Sequence, residues 1–182
     1  WLASAGNLFF ARAQANRIWY HLMGRGLVEP LDDFRDTNPA SHPRLLRALS
    51  DELSHSGFDL RHLIATIMAS RAYQLSSTRT VKNADDSLNY SHTVVRRVTA
   101  EQLLDSQHRV AGLPLQIPGY PEGLRFAQLP LAIRQRYRDR SQTDAEKMLE
   151  LFGKPKRALV CEYERSQETT MSQALAMISG KR

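Results

Sequence analysis

The chain has 182 residues, 25 Lys+Arg against 19 Asp+Glu, a net charge of +6 and a single cysteine. That length accommodates one domain, and 42% hydrophobic residues supply a core, which excludes wholesale disorder. One cysteine excludes an internal disulfide framework, a multi-cysteine zinc site and the Cys-x-x-Cys-His attachment of a c-type haem.

The first helix is expected over residues 8–23. Asn7 is its N-cap, and Leu8, Ala11, Ala15, Ile18 and Leu22 recur at helical spacing. Phe9, Trp19 and Tyr20 widen the stripe, so deep burial is predicted, and Gly24 and Gly26 end the helix. Residues 29–43 read as an ordered loop rich in Asp, Asn and Pro. Ser41 or His42 caps a second helix with Pro43 in its first turn and Leu45, Leu46, Leu49 and Leu53 on its apolar face. After a stop at Gly57, Asp59 caps a third, with Leu60, Leu63, Ile64, Ile67 and Met68 at helical spacing. A short turn makes these two an antiparallel hairpin.

Residues 74–92 are polar and predicted to be an exposed connection. Thr99 and Gln102 form a capping box for a helix carrying Ala100, Leu103, Leu104 and Val110. Gly112 to Pro130 holds four of the eight prolines and reads as irregular, with an extended piece at 113–117. Thr143 and Glu146 form a second box, and a brief strand is expected at Leu159–Cys161. Thr170 and Gln173 cap a last helix with Met171, Ala174, Leu175 and Ile178 on one face. The fold class is therefore mainly α: an irregular domain of about six helices with long ordered loops and at most a minor β element. It is read as one domain, 1–182, with a helical core over about 7–112 and a loop-rich part over 113–182. The opening at Trp1 reads as a segment of a longer polypeptide.

Several residue sets carry possible chemistry. Asp32, Asp33 and Asp36, with Asn38, offer oxygen ligands at the alternating spacing that Ca²⁺ takes. They lack the central Gly and terminal Glu of an EF-hand, and Asx turns with pairing to Arg35 and Arg25 account for the same residue types. No metal is therefore assigned. His42, ahead of Pro43, is a candidate base, but no His pair has the spacing of a helical zinc site. Glu162 and Glu164, after Cys161, fall on one side of an extended segment. That is an acid/base arrangement of the kind glycoside hydrolysis uses, though closer together than most such pairs. Cys161 itself reads as a small buried hydrophobe.

Charge is uneven: residues 92–182 carry 15 Lys+Arg against 10 Asp+Glu, whereas 1–91 carry 10 against 9. Arg134, Arg136, Arg138 and Arg140 alternate around Tyr137 and make a candidate polyanion surface. No nucleic-acid reader motif accompanies them, so nucleic acid is not the expected partner. No apolar run approaches the ~20 residues of a helical membrane span.

A set of strings, in order along nearly the whole chain, points to a family. They are Phe10-Ala11-Arg12-Ala13 with Asn16-Arg17-Ile18-Trp19, Gly24-Arg25-Gly26-Leu27-Val28, Asp32-Asp33-Phe34-Arg35, Asn38-Pro39 and Ser41-His42-Pro43. Further on come Ser70-Arg71-Ala72-Tyr73-Gln74, Arg96-Arg97, Glu101-Gln102-Leu103-Leu104-Asp105, Phe152-Gly153-Lys154-Pro155, Cys161-Glu162-Tyr163-Glu164-Arg165 and Gln173-Ala174-Leu175. Together they closely resemble the planctomycete-specific PSD domain, a domain of unknown function. The resemblance implies the C-terminal part of a large exported protein, hence an extracytoplasmic setting, with a cytochrome c-type domain upstream. Haem c is then expected in that neighbour and no cofactor in this segment. Tyr163 stands where family members often carry a second Cys, and the Arg134–Arg140 stretch looks like an insertion. The expectation is a non-catalytic accessory or interaction domain, with upstream domains and an envelope polysaccharide or redox protein as partners. The alternatives are a glycan-directed hydrolase built on Asp32, Asp33, Asp36, His42, Glu162 and Glu164, and a basic polyanion-binding module.

Overall fold

The computed structural model describes residues 4, 7–114, 117, 120–128, 144–154 and 170–179. The chain forms two compact units, 1–96 and 97–182. The division falls upstream of the turn at Gly112, so the Ala100–Ala111 helix belongs to the second unit. The described residues hold six α-helices, one short 3₁₀ turn and no strand. Residues 159–161, expected as a brief strand, and most of the 113–117 piece lie outside them or carry no regular structure.

The first unit is built on α1 (Leu8–Met23), α2 (Pro43–His55) and α3 (Leu60–Ala69). The Asn7 side chain accepts from the Phe10 amide and starts α1, and Gly24, at φ 82°, ends it in the left-handed region. Asp59 accepts from the amides of Arg61 and His62 and starts α3. His42 occupies the cap of α2 without a side-chain capping bond; Pro43, which has no amide hydrogen to satisfy, begins the helix. Ala15, Trp19 and Met23 of α1 meet Leu46, Leu49 and Leu53 of α2 and Leu63 and Ile67 of α3 in one core, joined by Leu27 and Val28. Phe9, expected inside, is exposed. It lies in the first turn of α1, at the edge of the packed face.

The second unit contains α4 (Ala100–Ala111), the 3₁₀ turn Phe126–Gln128, α5 (Asp144–Leu151) and α6 (Met171–Ser179). Its core is small: Ala100 and Leu104 against Phe126 and Leu149. The Thr99–Gln102 capping box is formed in both directions. Thr143, half of the other expected box, lies outside the described residues. Val110, placed on the apolar face by its spacing, is exposed in the last turn of α4.

Candidate functional site

The acidic loop is held from below by one buried amide. Asn16, wholly buried on α1, donates through Nδ2 to the carbonyls of Val28 (3.0 Å) and Leu31 (3.2 Å). Its Oδ1 accepts from the amides of Leu27 (2.7 Å) and Val28 (3.0 Å). A chain segment without regular structure thus has its backbone groups satisfied by a side chain, as burial requires. Gly26 is needed beside this amide. A Cβ there would stand 2.5 Å from the Val28 carbonyl oxygen and 3.2 Å from Asn16 Oδ1. Above, Asn38 donates to the carbonyls of Glu29 and Asp33 and closes the loop from its other end.

Within this frame each of the first two acidic side chains has its own cation. Asp32 pairs with Arg17 of α1 at 2.9 Å, and Asp33 takes Arg35 in a two-pronged contact at 2.6 Å to each oxygen. The Arg35 hydrogen bonds hold the Asp33 carboxyl below its usual range, against a smaller opposing effect of burial. Asp36 is exposed. Such pairing orients both carboxylates, which suits a loop brace better than a proton-transfer pair. Among the described residues no three His, Cys, Asp or Glu side chains are grouped to hold a metal ion.

His42 lies beside a second group of residues, centred on Tyr90. The Tyr90 hydroxyl donates toward the carbonyl of Gly26 at 3.0 Å, with that of Arg25 at 3.3 Å. Trp19 meets the Tyr90 ring edge-on at 5.2 Å between centroids, and the His42 ring stands 5.7 Å away. Burial raises the Tyr90 hydroxyl pKa above its usual value, while the Trp19 indole and the Arg25 charge pull it back. His42 Nδ1 is 3.2 Å from Ser41 Oγ, and Ser41 itself donates to the Leu27 carbonyl. The neighbours of His42 are thus a hydroxyl that donates to backbone and an aromatic ring.

From Tyr90 the chain runs along a cleft of about 220 Å³ in the same unit. One wall is the end of α1 (Leu22, Met23), another the stretch Tyr73–Leu75, and the third the segment from Tyr90 to Arg96. That segment is anchored at Thr93, whose amide donates to the Ser76 carbonyl and whose hydroxyl donates to that of Leu75 at 2.5 Å. Upstream, the Asp86 carboxylate gathers the amides of Leu88, Asn89 and Ser91. These bonds, the Ser91 hydroxyl first among them, hold its pKa far below the ordinary 3.8. Arg96 reaches back over Gly24 and donates to the His21 carbonyl at the end of α1, where a cation is favoured. A Cβ on Gly24 would meet Arg96 Cδ at 2.6 Å. The segment expected to be an exposed connection therefore carries a half-buried Tyr and a buried His.

The family match covers residues 1–181 and is to PSD1, "Protein of unknown function (DUF1553)". The chain belongs to this family. Neither a curated protein nor a solved structure matches it.

In this PSD1 chain many of the polar residues in the family-like strings turn out to be latches. Asn16, Gly26, Asp33 and Asn38 build the loop just described. In the second unit Asp105 accepts from the amides of Phe126 and Ala127 and starts the 3₁₀ turn. Gln173, buried on α6, donates to the Leu151 carbonyl at the end of α5 and accepts from Arg97 and from the Thr170 amide. The Thr170 hydroxyl in turn accepts from the Gln173 amide, completing the expected capping box. Cys161, Glu162, Glu164 and the arginines Arg134, Arg136, Arg138 and Arg140 lie outside the described residues. No helix among the described residues is long and apolar enough to cross a membrane. Sequence reasoning missed the cleft: Tyr90, His92 and Arg96 show no common spacing, and only the Arg96-Arg97 string marked the region.

Proposed function

We propose that this PSD1 domain is a non-catalytic interaction domain whose last helix docks on another domain of its own polypeptide. The observation that carries the reading is the outward face of α6. Met171, Leu175 and Ile178, at positions i, i+4 and i+7, are 77%, 56% and 85% exposed. Three apolar side chains in one row on a helix are the pattern with which a helix enters a partner groove. Exposed apolar clusters of this kind mark interaction surfaces. The face that α6 turns inward carries the buried Gln173, which donates to the Leu151 carbonyl and accepts from Arg97.

The paired state of Asp32 and Asp33 supports the same reading, because it gives the most acidic loop a bracing role. The family resemblance supplies the setting: an exported planctomycete protein with a cytochrome c-type domain upstream, whose surface is the partner we assign to α6. An envelope polysaccharide or a redox protein is the further partner that such a setting offers.

Methionine oxidation in the full-length polypeptide tests this. In the chain by itself Met171 is more exposed than Met177, at 77% against 54%. Docking of the Met171–Leu175–Ile178 row reverses the order, so Met171 oxidises more slowly than Met177. Faster oxidation of Met171 in the intact polypeptide contradicts the reading.

A further inference from the structure

The cleft beside Tyr90 has a composition that selects a ligand. Its floor and sides are apolar: Leu22 and Met23 at the end of α1, Tyr73 and Leu75 opposite, and Val94. Its polar groups are unequal in what they still have to offer. Tyr90, Gln74 and Thr93 each donate to a backbone carbonyl already. His92 has an unpartnered ring nitrogen, and Arg96 has N–H groups beyond the one it donates to backbone. His92 is only 6% exposed and lines the cleft, yet its Nδ1 has no hydrogen-bond partner among the described residues. That nitrogen is itself closed off from solvent, so a polar ligand satisfies it only when the ring turns toward the cleft. Arg96 uses one nitrogen on the His21 carbonyl, which fixes the guanidinium at the rim and offsets the negative end of α1. Its remaining N–H groups keep the fork that suits a carboxylate.

We propose that this cleft binds a small organic carboxylate with an apolar tail, Arg96 and His92 taking the carboxylate and the Leu22–Met23–Leu75 wall taking the tail. The volume sets the size. At about 220 Å³ the cleft is smaller than the ~300–1,000 Å³ of sites for drug-sized ligands, so a short branched or aromatic acid fits and a sugar chain does not. The same chemistry is presented by a free acid and by the terminal residue of a polypeptide.

The test uses the whole chain and nuclear magnetic resonance of the Thr93–Arg96 amides. Three probes share one tail: 4-methylpentanoate, its uncharged amide, and N-acetyl-leucine. The acid is expected to shift these amides saturably and the amide probe to bind about tenfold more weakly. Equal binding of the two free acids assigns the site to small metabolite acids. Tighter binding of N-acetyl-leucine assigns it to a chain terminus. Arg96→Gln is expected to lower affinity about tenfold. Because it also releases the His21 carbonyl, Leu75→Phe, which fills the cleft and leaves Arg96 in place, is the second variant and is expected to abolish binding. The proposal is overturned if the acid and amide probes bind equally, if neither shifts the segment at millimolar concentration, or if Leu75→Phe binds as the parent does.

Discussion

Replacing Asn16 by Ala removes a single buried amide and with it four hydrogen bonds to backbone: those from the amides of Leu27 and Val28 and those to the carbonyls of Val28 and Leu31. None of these groups has a place in a helix ladder that could absorb it, and Asn16 itself is wholly inaccessible to water. At roughly 1 kcal/mol for each hydrogen bond lost, the variant loses about 4 kcal/mol. That is a large part of the ~5–15 kcal/mol that stabilises a typical domain. The natural comparison is Asn7→Ala on the same helix. There one side-chain bond to the Phe10 amide is lost at an accessible cap, and the cost is about 1 kcal/mol. Urea unfolding of the full chain, followed by Trp19 emission in a Trp1→Phe background, separates the two. With a urea slope of about 2 kcal/mol per molar, Asn16→Ala moves the midpoint down by roughly 2 M and Asn7→Ala by about a quarter of that. If Asn16→Ala loses no more than Asn7→Ala, the loop does not depend on this amide. The account of how Asp32 and Asp33 are positioned then fails with it.

Tyr90→Phe removes the hydroxyl that donates to the Gly26 carbonyl and keeps the ring against Trp19, so a loss of about 1–2 kcal/mol with unchanged aromatic circular dichroism is expected; a neutral result shows the hydroxyl to be idle. Asp86 and Asp33 both have carboxyl pKa values lowered from 3.8 in the folded chain. A lowered folded value contributes stability that is present above the unfolded value and lost as pH falls through the folded one. The Leu88, Asn89 and Ser91 amides should therefore keep their chemical shifts as pH is brought down to 3.8, and titration of those shifts above 3.8 would show that Asp86 is not gathered as described.

What the residues reveal in advance is local. Asn7, Asp59, Thr99–Gln102 and Thr170–Gln173 act within three residues of themselves, so each helix start could be read directly. Asn16 looks identical to any polar residue inside a helical stripe. Its partners lie 11 to 15 positions away, and nothing local marks them. The same holds for Gln173, readable as a cap, whose bonds to Leu151 and Arg97 span long separations. Tyr90 and His92 sit in a polar, aperiodic stretch, where burial is decided by what the segment crosses rather than by spacing. Phe9 and Val110 fail for the converse reason: a stripe drawn by periodicity runs through a helix's terminal turns, where both residues lie and are exposed. The Arg35 partner of Asp33 is legible two residues away, whereas the Arg17 partner of Asp32 lies 15 positions back on α1 and carries no local mark.

The central claim is that the α6 row holds this domain to a neighbouring one. It is met most directly by cutting the full-length polypeptide at a protease site engineered into the chain upstream of Trp1 and asking whether the two fragments still co-purify. The account predicts that they do, and that Leu175→Ser with Ile178→Ser, two exposed positions whose replacement leaves the Gln173 latch intact, releases them. Fragments that part in the unaltered protein, or that stay together in the double variant, contradict it.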